Sequence, residues 1–291
     1  MGTSKSPDGP PGSNPLLPPD APPAPPLPDE EDADASPDQP APDGPDDDAA
    51  PDNVPDAPNG ESNYSWQAAK REAGRFASSG GGSGGGGGSP AGVARAHVRA
   101  QGGAGRATSN ARAGRSTLAT FGGFLSAVAR DGAAAAAVRF GIQFVGRTVN
   151  SLLNELARTL TFAGALLDEA VARTALLETL HEVFEDCDVE ADGLDALNAL
   201  TGDRVEAAME GYVANYVNAQ LLHYLASKPI EDKAPGSAEA YRLECQLKEF
   251  VRGLVKLEFR GIDVLAVDWQ GTEGQGIVGG LFERAFTLIS E

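Results

Sequence analysis

Eighteen of the 21 prolines in this 291-residue chain fall within its first 60 residues, a stretch that also holds 14 acidic residues against the single Lys5. Proline removes backbone donors and fixes φ, the carboxylates repel one another, and almost no apolar surface is present to offset the entropy of ordering. Residues 1–63 therefore cannot build a core and are expected to form a disordered, partly polyproline-II tail. Whatever folds must lie further along the chain.

The net charge of −19 conceals a basic middle. Residues 61–115 carry eight Lys or Arg against two Glu, whereas residues 116–291 carry 14 against 26. Overall acidity argues against a protein that coats nucleic acid, which needs clustered cations to release counterions. Two cysteines are too few for a disulfide scaffold. The N-terminus lacks the basic start and apolar stretch of a secretory signal, so a cytoplasmic location is expected. The most apolar stretch, residues 117–146, is interrupted by Arg130, Asp131 and Arg139. It reads as a core or interface helix and not as a membrane span.

Composition divides the rest of the chain. Residues 64–79 form a short motif in which Tyr64, Trp66 and Phe76 accompany Lys70, Arg71 and Arg75. This composition suits a short helix, and Trp66, Phe76, Arg71 and Arg75 are candidates for docking a partner. Residues 80–90 are a Gly/Ser linker whose glycine run has a mean reach of about 17 Å, enough to decouple its two sides. Residues 91–116 are a basic arm with Arg95, Arg99, Arg106, Arg112 and Arg115, no acid and no aromatic. Without rings to stack bases, the arm is expected to stay solvated or meet acidic surface, and no direct nucleic-acid contact is expected.

Residues 117–291 read as an α-helical domain. From Ser151, Leu153, Leu156, Leu160, Leu167, Ala170, Leu177, Leu180 and Phe184 recur mostly at three- and four-residue steps, as one long helix or two joined near Gly164. Val205, Met209, Tyr212, Tyr216 and Leu222 mark a second run with Asp203 as its cap, ending before Pro229. Leu243, Leu247, Phe250, Leu254 and Leu257 give a third run, an a/d seam suited to a bundle partner. The strand signal is confined to residues 262–267. The expected fold class is all-α: a C-terminal helical bundle preceded by a long disordered Pro/Asp-rich and Gly-rich N-terminal region.

Candidate sites weaken on inspection. Gly274, Gly276 and Gly279 match G-x-G-x-x-G, but the βαβ context and the downstream acid are missing, so these glycines read as a hinge before a last helix. Asp188, Glu190, Asp192 and Gly193 resemble the start of a calcium loop whose last ligand position is Ala199. They read as an acidic turn. His181, Glu182, Glu185 and Asp186 lack the second His of a zinc helix and read as an exposed acidic face. Cys187 is flanked by acids that would raise its pKa, and no Ser sits in a nucleophile elbow. No catalytic role, cofactor or metal is expected. The Pro22–Pro28 run is a spacer or a ligand for an aromatic groove.

Met1-Gly2-Thr3-Ser4-Lys5-Ser6 fits an N-myristoylation pattern, yet the acidic tail would be repelled by anionic lipid, so no membrane partner is expected. The same start, followed by Gly9-Pro10, Pro15-Leu16-Leu17-Pro18-Pro19, a low-complexity linker, the Arg/Gly/Ala/Ser segment 111–121 and a helical C-terminal domain, resembles the QatB family. That family is the small component of the bacterial Qat antiphage defence system. The resemblance is most specific in about the first 19 residues. It implies a non-catalytic subunit that partners an ATPase, a QueC-like deazapurine enzyme and a TatD-like nuclease, with Gly2 as the acceptor of an N-terminal modification. The alternative from composition alone is a general scaffold or adaptor using its Pro-rich and helical segments.

Overall fold

The computed structural model describes residues 66–81, 88–143, 148–161, 166–234 and 236–291. All belong to one unit spanning Asn59–Glu291. Among the described residues every regular element is helical and there is no strand, which is the expected all-α class. None of these helices is long and apolar enough to cross a membrane.

The unit begins earlier than composition suggests. Helix α1 (Trp66–Ser78) packs against α2 (Pro90–Ala100), and Ala69, Ala73, Phe76 and Ala77 are buried on its inner side. Ser89 starts α2 by accepting the Gly92 N–H at 3.1 Å, and Pro90 takes a first-turn position whose missing N–H costs nothing. α3 (Ala104–Asn110) and α4 (Arg112–Asp131) follow. The basic arm is therefore helix and core: Val93, Ala94, Val98 and Ala107 are fully buried while Arg95 and Arg99, one turn apart, face outward. Its helical period is hard to read because half of its inward positions are alanine.

After α4, Gly132 turns the chain at a φ of 87° into α5 (Ala133–Arg139), which packs back on α4 through Ala133, Ala136 and Ala137. The leucine-rich run is two helices, α6 (Val149–Leu160), capped by Thr148, and α7 (Leu166–Asp186). The break resets the angular phase. α6 buries Leu153, Leu156 and Leu160; in α7 the expected Leu180 and Phe184 are buried, together with Val171, Ala172, Ala175, Leu176, Thr179 and Val183, whereas Leu167 is 60% exposed and Ala170 faces solvent.

A helical turn, α8 (Val189–Asp192), and a 3-10 turn (Leu194–Ala199) lead to α9 (Gly202–Leu221). α9 is the axis of the bundle, in contact with α4 and α7 and, after them in the chain, α11 (Ser237–Leu254) and α12 (Thr272–Ser290). Its cap is Thr201, which accepts the Arg204 N–H, and not Asp203. Both faces of α9 are buried from Tyr212 to Asn218. Close approach of α4 depends on glycine: a Cβ on Gly114 would lie 2.4 Å from Tyr216 Cε2.

The helix does not stop before Pro229. A π-turn (Leu222–Ala226) joins α9 to α10 (Ser227–Lys233), and Pro229 falls in the first turn of α10, where its lack of a donor is tolerated. In α11 the buried stripe is Leu243, Leu247 and Val251, while Phe250 and Leu254 are half-buried and the helix ends before Leu257. Residues 262–267 are turns, closed by Ala266 and Val267 N–H groups on the Asp263 carbonyl. They bring Trp269 inside, where its Nε1 donates to Ser126 Oγ and the Val264 carbonyl, both at 3.0 Å. The glycines of G-x-G-x-x-G form no hinge but lie within α12. Gly274 is required there, because a Cβ would sit 2.4 Å from the Asp268 carbonyl oxygen and Trp269 Cα.

Candidate functional site

Four of the five site residues singled out in the sequence lie on α1; Gly2 lies outside the described residues, as do Tyr64 and the Pro22–Pro28 run. Helical geometry separates the four. Phe76 falls in line with Ala69 and Ala73 and is 0% exposed, so it is core and presents nothing to a partner. Arg71 and Arg75, one turn apart, face solvent, with Arg75 3.3 Å from Glu72. Trp66 is 40% exposed at the helix start. Its ring meets His97 of α2 edge-on at 5.8 Å and Tyr224 of the π-turn at 6.4 Å.

Behind these rings runs a line of polar side chains. Gln101 Nε2 lies 2.6 Å from His97 Nε2 and donates at 3.4 Å to Gln220 Oε1. Gln220 donates at 2.8 Å to the Tyr216 hydroxyl, which donates to Asp168. Asp168 also accepts the Ala113 N–H at 2.6 Å, placing its carboxylate at the positive end of α4. Burial lowers the His97 pKa to about 4, against a smaller opposing effect of its hydrogen bond with Gln220. The imidazole is thus neutral at physiological pH, and its Nδ1 has no hydrogen-bond partner among the described residues. Burial, reinforced by Asp168, pushes the Tyr216 hydroxyl well above its usual range, so it stays a donor. This line fastens α2, α4, α7 and α9 together.

The π-turn, α1 and α10 line an open cavity of about 440 Å³ that includes Tyr224. Lys70 reaches it from α1, Lys228 and Lys233 from α10, and His223 and Tyr224 from the π-turn. Sequence reasoning missed this grouping. Lys70 is 158 positions from Lys228, and no periodicity ties the two lysines of α10 to α1.

The other candidates are absorbed locally. Glu182 is not part of a free acidic face: with Glu178 it pairs with Lys248 and Arg252 of α11 and straps that helix to α7. Asp188 holds the left-handed turn after α7 at a φ of 56°. Cys187 has a raised pKa mainly through burial, opposed by Arg204, whose guanidinium donates to its Sγ at 3.7 Å; the flanking Asp186 contributes least. No group of three or more His, Cys, Asp or Glu among the described residues is placed to hold a metal.

A family model described as "Qat anti-phage system associated protein QatB" matches residues 102–289, from just before α3 to the last turn of α12. No curated protein and no solved structure matches the chain.

Proposed function

Because the chain belongs to the QatB family of the Qat anti-phage system, we propose that it works in that system as a non-catalytic, cytoplasmic subunit and as the N-terminally modified substrate of a QueC-like enzyme. An ATPase and a TatD-like nuclease are its further partners. The observation that carries this reading is the family match, which spans the helical unit from α3 to α12. A second feature supports it. Interior polar side chains tie α7 to α9, Tyr216 donating to Asp168 and Asn215 to Thr179, while Gln220 supports Tyr216 from one turn along α9, a pattern that suits a scaffold held in register.

Gly2 is the proposed acceptor. Once Met1 is removed, its amine is followed by the small residues Thr3 and Ser4, with no side-chain charge before Lys5. Intact-mass measurement after co-expression with the neighbouring subunits tests this directly. Wild-type chain should gain mass at its N-terminus. Gly2→Glu should gain none and should lose protection against phage while its helical content and melting stay unchanged. Full protection with Gly2→Glu would leave a scaffold that uses its exposed helix surfaces alone.

A further inference from the structure

We propose that the cavity between α1 and the π-turn with α10 binds a nucleoside phosphate, its phosphates held by Lys70, Lys228 and Lys233 and its base laid against His223 and Tyr224.

The cationic half of the cavity is built. Lys70, Lys228 and Lys233 line one space, with Asp232 the single acid of the lining, and none of the three has an ion-pair partner among the described residues. The other two lysines among the described residues are paired: Lys248 with Glu178 and Lys256 with Glu210. Three exposed ammonium groups around one volume, with a single carboxylate beside them, leave the lining with a net positive charge that attracts an anion. Lys233 is held down over α1, where its Nζ donates to the Gly74 carbonyl at 3.4 Å. Gly74 makes this possible, since a Cβ there would lie 2.7 Å from that nitrogen.

The rest of the lining is apolar and aromatic. A π-turn inserts an extra residue into a helical turn, a local geometry that recurs at functional sites. Here it presents His223 and Tyr224, adjacent in sequence, to the same cavity, their rings edge to face at 4.9 Å. Leu222, Leu225 and Pro229 complete that wall. A volume of about 440 Å³ falls within the range of small-molecule sites, about 300–1,000 Å³.

The two halves select the ligand class. Inorganic phosphate or an acidic peptide would engage the ammonium groups and leave the rings bare. A nucleoside phosphate engages both, because lysines bind phosphate as point charges and aromatic faces accept any base. The site makes no demand on Gly2, so it stands or falls separately from the N-terminal modification.

Calorimetric titration of the full chain with ATP, tripolyphosphate and adenosine is the test. ATP should bind saturably and more tightly than either fragment, and should change the emission of Trp66, whose ring lies 6.4 Å from that of Tyr224. Trp66→Phe should remove that signal. Lys228→Glu should weaken ATP by about tenfold or more, the loss expected when one charge-assisted contact becomes a repulsion. Gly74→Ala removes no charge and suits a helix better, so it should melt no lower than wild type yet bind more weakly as Lys233 is displaced. Arg139→Glu, in the separate cavity beside Trp269, should bind normally. The proposal is overturned if ATP does not saturate, if Lys228→Glu binds as wild type, if tripolyphosphate binds as tightly as ATP, or if Arg139→Glu abolishes binding.

Discussion

At the scale of single residues, burial decides what a side chain can do. His97 is enclosed, so its pKa falls to about 4 from an ordinary 6.5. Between those values the unfolded chain takes up a proton that the folded chain refuses, so stability rises with pH through this window and is lost as pH falls from 6.5 toward 4. The shift corresponds to at most about 3 kcal/mol. Denaturant titrations at several pH values should show that loss in the wild type and a shallower slope in His97→Gln. An unchanged slope would mean that the imidazole is not enclosed in solution. Glycines give a second contrast. Gly114→Ala drives a methyl into the Tyr216 ring, which Asp168 and Gln220 hold in place, and should cost about 1–3 kcal/mol. Gly276→Ala, in α12 with open space around it, should gain about 0.5–1 kcal/mol. Thermal melting of the two variants should move in opposite directions.

At the scale of elements, each helix keeps its own period, and its phase is set by what packs on it. The a/d pattern of α11 predicts burial of Phe250 and Leu254, yet the fully buried positions are Leu243, Leu247 and Val251, a strict four-residue step. Glu178 and Glu182 of α7 hold that rotation by pairing with Lys248 and Arg252. Leu247→Ala should therefore cost about 2–5 kcal/mol, and Leu254→Ala clearly less. Equal melting of the two would return the seam to its a/d assignment. The junction of α9 and α10 follows the same logic. The π-turn accepts the Ser227 N–H on the Leu222 carbonyl, so the chain stays helical up to a proline that ordinarily marks an end.

At the scale of the whole molecule, α1 changes where the folded unit starts. The glycine run argues for separation of residues 64–79 from the helices beyond it, but Phe76 and its alanines are buried and α1 packs on α2 and α10. Limited proteolysis should yield a core beginning near Trp66, and any chain cut between 81 and 88 should keep its α1 fragment through native gel filtration. Loss of that fragment would restore a core beginning at 91–118. By itself the sequence determined the helical class and the poverty of residues 1–63 in core-forming side chains, because composition and periodicity are local quantities. It also carried a resemblance to the family whose model matches residues 102–289. Only the tertiary structure decided that the alanine-rich basic arm is core, since an alanine counts as apolar or neutral according to what touches it. The phase of α7 after its break, the need for glycine at 114 and 274, and the meeting of Lys70 with Lys228 were likewise beyond the sequence. Each is a property of two segments far apart in the chain, and no pattern within either segment encodes the other.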